Sequence, residues 1–572
     1  MLLTKLRIEN FRGITDLTIE LGAMAVLIGE NNTGKTSILE AVFTCLGRST
    51  TGRRNFPFND YDFHLADANA VPADAPPIQI TVEFVEQKPS EWTDRVVQGL
   101  DQAIQIDADT GLQRVTYRLR GLYDSTLKEF VSEWAFLNSK GETLTKARGI
   151  HLVASLQQFA PAFFLGAIRD AAQQFSSRGA FWAPFTRNPE MTEEQQRELE
   201  EQLGEINQKV VDAHKPFGAV KTAMAKASQM VPLSKNDAVS IEAVPARAFD
   251  LLSRSQVKLA TRSAARLPVD RHGAGTQSLS VIFLFESFLK SRLSESYDKD
   301  STPILALEEP ESHLHPSAVR LLWATLAALD GQKIIATHSG ELMAEVPLSS
   351  IRRLARRAGK VQQFSVPKGS LTPEEEEDLN YVVRSERGAL FFARCWLLVE
   401  GKTEYFLFPE LAQIAGIDLA RNGIAVIEFA QCSLRALIKT AQLLGIEWHV
   451  VTDSDAAGQG YAGTVRDLLG AEPEKDRLTT FIEPDIEDHL WANGFEPTIT
   501  ASAGKHQKAA IVKSLKGTPA YQAEVIRAAR KTCGKPGVAR RIAEAIRNGG
   551  KKTPPLFEAV IAKIKEIGER QA

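Results

Sequence analysis

The chain has 572 residues, with 68 Lys and Arg against 71 Asp and Glu, a formal charge of −3 and 44% hydrophobic residues. That length exceeds what one core supports, so two or three domains are expected, each able to bury a stable interior without disulfides or metals. The balanced total excludes a uniformly basic nucleic-acid binder, yet residues 501–572 hold 16 Lys and Arg against 5 Asp and Glu, an asymmetry that whole-chain charge conceals. Cys45, Cys395, Cys432 and Cys533 lack metal-ligand spacing and suit a reducing cytoplasm, and no stretch reads as a leader or a membrane span.

In chain order, "TKLRIENF" (4–11) and "MAVLIG" (24–29) read as strands and "KTSILEAVFTCLG" (35–47) as a helix closed by Gly47. Between them "GENNTGKT", Gly29 to Thr36, satisfies G-x-x-x-x-G-K-[ST] in the strand-to-helix context that the motif requires. Its backbone N–H groups can cradle phosphates, with Gly29, Asn31, Asn32, Gly34 and Ser37 shaping the loop, Lys35 reaching the outer phosphates and Thr36 holding Mg²⁺. ATP is the expected ligand. "PIQITVEF" (77–84), "QRVTYRLRG" and "FVSEWAFLN" follow as antiparallel strands. From Thr192 a capping box opens a polar helix whose Leu199, Leu203, Ile206 and Val210 make a narrow seam, suited to a dimerisation arm or to an ordinary bundle helix.

"HGAGTQSLS" (272–280) is a Gly-rich turn opening a helix, with Gly275, Gln277 and Ser278 placed to meet a phosphate. "PILALEEPESHLHP" (303–316) runs four apolar residues into Glu308, able to join the Mg²⁺ shell, and Glu309, able to orient an attacking water. "KIIATHSG" (333–340) ends a further strand on His338, within reach of a γ-phosphate. "LTPEEEEDLN" (371–380) reads as a solvated helix start, and the region 346–390 around it as an interdomain linker.

After it "CWLLVEG", "AVIEF", "WHVVTDSD" and "RLTTFIE" are strand candidates separated by amphipathic helices. The first delivers Glu400, with Gly401 turning the chain into a helix that carries Glu404; the third delivers Asp453 and Asp455. Carboxylates converging without a basic neighbour repel one another unless cations neutralise them, and all-oxygen ligands favour Mg²⁺ or Mn²⁺.

The order "NFRG", P-loop, Gly-Gln-Ser turn, "LEEPESHLHP" and "THS" resembles the ABC-type ATPases of the SMC and RecF kind. That resemblance implies a homodimer or higher oligomer in which the Gly-rich turn of one subunit closes over ATP on another. Two departures stand out, "GAGTQS" for "LSGGQ" and Glu308 for the more usual Asp, and the Q-loop glutamine is not placed. E-G-x-x-E followed by D-x-D resembles the Toprim fold. Together the two halves resemble the OLD (overcoming lysogenization defect) family of ATP-dependent nucleases, which includes the nuclease subunit of the Gabija phage-defence system.

The resemblance implies a DNA endonuclease with two divalent ions at the Toprim site. It implies a further acidic ligand in "FIEPDIEDHL", best matched by Glu487, with Glu483, Asp485 and Asp488 as neighbours, and an essential lysine at Lys535, or Lys531, in "KTCGKPGVAR". Some family members work with a partner helicase. The fold class expected is α/β, an ABC-type ATPase (1–188 and 233–345) interrupted by a helical dimerisation segment (189–232), then the linker (346–390) and a Toprim domain with a basic helical extension (391–572). The competing reading is an SMC-like DNA-binding ATPase with a non-catalytic Toprim domain. A topoisomerase lacks its tyrosine-bearing strand-passage domain here, and a primase its zinc ribbon.

Overall fold

The structure is a computed structural model describing residues 1–47, 57–67, 69–167, 171–177, 179–187, 190–225, 240–260, 266–386, 388–430, 432–511 and 516–570. Alternation sets the first layer: Leu6 and Ile8 are buried while Lys5 and Glu9 face outward, the period-2 pattern of a strand covered on one face. Leu3–Phe11 pairs antiparallel with Ile14–Glu20 and Ile78–Val85, and the sheet continues through Gln113–Asp124 to Gln105–Ile106, with Glu129–Leu137 also on Gln113–Asp124.

The second sheet is built of near-continuous apolar runs, as expected of strands buried on both faces. Its order is Lys360–Ser365, Ile351–Arg357, Met24–Gly29, Gln332–Ala336, Ile304–Glu308, Ala162–Leu165, all parallel except the first pair. The helix Lys35–Leu46 buries Ile38, Leu39, Val42 and Leu46 in a core shared by the two sheets. The motif-bearing strands Met24–Gly29, Ile304–Glu308 and Gln332–Ala336 are neighbours, so the P-loop, Glu308 and His338 emerge at one edge. Parallel strands deliver their C-terminal ends together, which is why motifs three hundred residues apart can form one site.

The expected linker is corrected here. Residues 351–365 are a β-hairpin completing the second sheet, and the helix Pro373–Ser385 buries Leu379, Val382 and Val383. The alternation "IRRLARR" buries Ile351, Arg353, Leu354 and Ala355, and the arginines disguised it as a solvated segment. The capped helix from Thr192 does form, as Glu193–Ala213 followed by Lys215–Ala225. Along its seam Leu203 is buried while Ile206 and Val210 remain 47% and 40% exposed; residues 189 and 226–232 of the expected segment lie outside the described residues.

The third sheet, Ile424–Glu428, Cys395–Val399, Glu447–Thr452, Leu478–Thr480, is wholly parallel. The helices Pro519–Arg547 and Pro555–Glu569 cover one face of it, and the other face joins a core continuous with the ATPase sheet, from Val26 and Ile28 through Phe391 to Trp396 and Val450. Among the described residues no helix is long and apolar enough to cross a membrane.

Arg353 stitches the two sheets. It is 4% exposed and donates from Nη1 to the carbonyls of Leu444 and Gly445 (3.1 and 3.2 Å) and from Nη2 to that of Ala393 (3.0 Å). Burial pulls its pKa down to about 10, still charged at neutral pH. Arg353→Met keeps the volume but strands the carbonyls of Leu444 and Ala393, while Arg357 still serves that of Gly445. It is expected to cost about 2–4 kcal/mol, read as a lower urea midpoint; an unchanged midpoint would mean that water replaces the guanidinium there.

Candidate active sites

The P-loop adopts its bend through positive φ at Gly29 (151°), Asn32 (67°) and Gly34 (89°). A Cβ on Gly29 would run into the carbonyl oxygen of Leu354, and one on Gly34 would stand 3.0 Å from Ile14, so both positions need glycine. Asn31, Asn32, Gly34, Lys35, Thr36, Ser37, Glu308, Glu309 and His338 line one cavity. Lys35 Nζ donates to the carbonyls of Gly29 and Glu30, each at 2.8 Å, and burial lowers its pKa to about 8 against the pull of Glu309, Glu30 and Glu308. Thr36 Oγ1 donates to Glu308, the pairing from which a Mg²⁺ ion could be held. Glu309 sits at φ 40° and accepts from Ser312 Oγ (3.0 Å).

Glu311 was within the quoted motif but received no role. It is largely buried, accepts from Thr337 Oγ1 (2.6 Å) and from the His338 backbone N–H (3.3 Å), and so orients the His338 turn. Burial, then Lys35, lowers the His338 pKa, and its ring lies over Phe392 at 6.4 Å and 18°. Gly275, Gln277 and Ser278 are not among the residues lining the cavity. Gln277 folds its amide back onto the carbonyls of Asp270 and His272, and a Cβ on Gly275 would press on the His313 carbonyl at 2.7 Å.

The Toprim strands place Glu400, Glu404 and Asp453 around one point. Glu400 Oε2 accepts from the Asp453 backbone N–H at 3.1 Å. Glu404 is 2% exposed, and its Oε2 and Asp453 Oδ1 are buried without a hydrogen-bond partner among the described residues. Burial, then neighbouring carboxylates, raises Glu404 to about 7 and Asp453 to about 8, and burial raises Glu400 as well. Buried carboxylate oxygens without hydrogen-bond partners, whose charged forms burial disfavours, fit a divalent ion. No three side chains of ligand type stand ready-made in coordinating geometry among the described residues.

Gly401 leaves the room that Lys535 uses: a Cβ there would sit 3.2 Å from both Glu404 Oε2 and Lys535 Nζ. Gly534, at φ 69°, kinks the helix Pro519–Arg547 just before Lys535, with Pro536 in the turn that resumes it. Lys531 is exposed, and Lys535 acts electrostatically on Glu400, Glu404 and Glu428.

Asp455 is exposed and caps the helix Ala456–Leu468 by accepting from the Gly458 N–H (2.8 Å). Glu487 is 1% exposed, but its two oxygens are taken by Thr403 and by Arg530, a residue that had been counted only in the basic tail. Glu483 pairs with His489, and Asp488 accepts from Gln522. Glu428, at the end of its strand, also faces Lys535.

The two sites meet through residues that no motif marked. Glu30 of the P-loop stands 2.9 Å from Arg394 Nε, an ion pair without an aligned N–H bond, and Arg394 directly precedes the strand Cys395–Val399 that ends at Glu400.

Residues 1–389 match the family described as "Protein of unknown function (DUF2813)". The chain belongs to the DUF2813 family. Residues 391–455 match the TOPRIM domain described as overcoming lysogenization defect protein-like. This DUF2813 protein is 30% identical to "Uncharacterized protein YbjD" of Escherichia coli (strain K12), with all of both chains covered. It is 26% identical to "OLD nuclease" of Thermus scotoductus over 79% of this chain and 82% of that one. It is 22% identical to "Endonuclease GajA" of Bacillus cereus over 85% and 82%. The chain thus carries an OLD-like TOPRIM domain after its DUF2813 part and is similar over most of its length to proteins named as nucleases.

Raised carboxyl pKa values fix a sign. Between about pH 4 and pH 8 the native chain keeps protons on Glu404 and Asp453 that the unfolded chain has released, so their contribution to stability falls as pH rises through that window. In EDTA, Asp453→Asn should melt increasingly above wild type from pH 5 to pH 8, and Mg²⁺ should raise the wild-type melting temperature more at pH 8 than at pH 6. Parallel melting curves across the window would show that Asp453 is not buried as described.

Proposed function

We propose that this protein is a DNA endonuclease dependent on divalent metal, whose cutting is timed by ATP bound at the P-loop of a dimer. The observation carrying the nuclease half is the pair of orphaned carboxylate oxygens on Glu404 and Asp453 beside Lys535. Buried acids of this kind cost stability and persist where they hold a cation for chemistry. Nuclease names among the relatives support the same reading.

A divalent ion, Mg²⁺ or Mn²⁺, supplies a lowered water pKa and withdraws charge from the scissile phosphate. Glu400, Glu404 and Asp453 would hold it, and Asp455 fixes the turn by capping its helix and acts electrostatically on Glu400. A water oxygen adds to phosphorus, the P–O ester bond breaks and the departing oxygen takes up a proton; Lys535 lies alongside to balance charge on the phosphate. The basic helices of 501–572 attract the backbone without reading sequence, so binding should weaken with salt.

In the ATPase half Lys35 leaves its two carbonyls for the outer phosphates, Thr36 and Glu308 share the Mg²⁺ shell, and Glu309 with His338 faces the γ-phosphate. Gly275, Gln277 and Ser278 would meet that phosphate from a second subunit, since their turn does not line the cavity of its own chain. Phage defence and a partner helicase enter by resemblance to the Gabija nuclease subunit.

Supercoiled plasmid should be cut with Mg²⁺ or Mn²⁺ and left intact in EDTA. Asp453→Asn or Glu404→Ala should abolish cutting and spare ATP hydrolysis, Lys35→Ala should abolish nucleotide binding and with it any effect of ATP on cutting, and Lys535→Ala should slow cleavage by about 10²-fold or more. Equal cutting by wild type and Asp453→Asn would assign the activity elsewhere.

Coupling has its own test. Arg394→Ala breaks the pair with Glu30 while touching neither cavity lining, so ATP should change the cutting rate in wild type and lose most of that effect in the variant, with ATP hydrolysis retained. Identical ATP dependence in both proteins would remove Arg394 from the coupling.

A further inference from the structure

Two groups of buried acids face the Toprim centre, and their charges are compensated differently. Glu404 and Asp453 carry oxygens with no partner. Glu487 has none to spare: Arg530 Nε donates to Oε1 at 3.0 Å, Nη2 to Oε2 at 2.5 Å, and Thr403 Oγ1 adds a third bond to Oε1 at 2.9 Å. The same Nη2 donates to Asp485 Oδ2 at 2.9 Å. Thr403 is 0% and Glu487 1% exposed, so this is a built, dry arrangement.

We propose that Arg530 fills the place of the second cation, so that this Toprim site works with one divalent ion and one guanidinium. The inference rests on the nuclease reading for its catalytic meaning, but its charge accounting does not. An ion ligated by Glu487 would have to displace a forked, charge-assisted pair and would leave Arg530 beside a dication. A lysine could escape by losing its proton; a guanidinium cannot. Nothing comparable opposes an ion between Glu404 and Asp453, where each oxygen lacks even a hydrogen bond.

Arg530 also has something to offer substrate. Its side chain is 33% exposed, and its Nε and Nη2 are engaged, whereas no hydrogen bond of Nη1 occurs among the described residues. Nη1 therefore keeps its N–H groups for a phosphate oxygen, while Nε and Nη2 hold Glu487 and Asp485. It lies on the same helix as Lys535, before the kink at Gly534, so one helix brings both fixed cations to the acidic strand ends. Arg530 is on this reading a catalytic residue, donating from Nη1 to the scissile phosphate, while Glu404 and Asp453 would hold the single divalent ion.

The test is Mn²⁺ binding by the nucleotide-free full chain, followed by calorimetry and electron paramagnetic resonance, alone and with a phosphorothioate-blocked duplex. Wild type should bind one ion per chain with an uncoupled six-line spectrum in both states, and Asp453→Asn should lose it. Glu487→Gln, which keeps an acceptor for Thr403, should still bind one ion with affinity changed by less than about threefold. Arg530→Gln should admit a second ion with a spin-coupled signal and cut about 10²-fold more slowly. Two coupled ions in wild type, or an ion lost in Glu487→Gln, would overturn the assignment even if Arg530→Gln fails to fold. One ion without any plasmid cutting upholds it and sinks the nuclease reading instead.

Discussion

A buried guanidinium, that of Arg353, holds the ATPase sheet against the Toprim sheet. Sealing a cation in an apolar core is costly, and the cost is offset because Ala393, Leu444 and Gly445 present carbonyls to its N–H groups. Arg357 extends the seam, donating to the Gly445 carbonyl at 3.0 Å and pairing with Glu447, which Arg477 holds from the far side at 2.6 Å. Because that seam is polar and specific inside a continuous apolar layer, the two halves share one orientation rather than sliding over one another.

Around this frame the two centres have opposite electrostatic problems. The P-loop has a lysine made reluctant to stay charged by burial and satisfied by carbonyls until phosphate arrives. The Toprim centre has acids that burial and one another make reluctant to ionise. Each is preorganised for a ligand of the sign it lacks.

Much of this was legible along the chain because the chemistry sits at strand ends. The P-loop, Glu308, His338, Glu400 and Asp453 each come just after or at the end of an apolar run that forms a strand. What stayed hidden depends on partners distant in sequence. Arg394 meets Glu30 across 364 positions and Arg530 meets Glu487 across 43, and neither has a local pattern. The hairpin 351–365 hid for another reason: its inward Arg353 reads as solvated until the carbonyls it serves are known. Glu487 shows the converse, a residue whose acidic context was read correctly and whose counter-charge was not visible.

The strand Cys395–Val399 is central in its sheet and buried at every position, bonded on one side to Ile424–Glu428 and on the other to Glu447–Thr452. A strand rises about 3.3 Å per residue and, hydrogen-bonded along both edges, neither stretches nor coils. Its two ends therefore keep a fixed separation, so the ion pair of Arg394 with Glu30 and the carboxylate of Glu400 flank one rigid element five residues long.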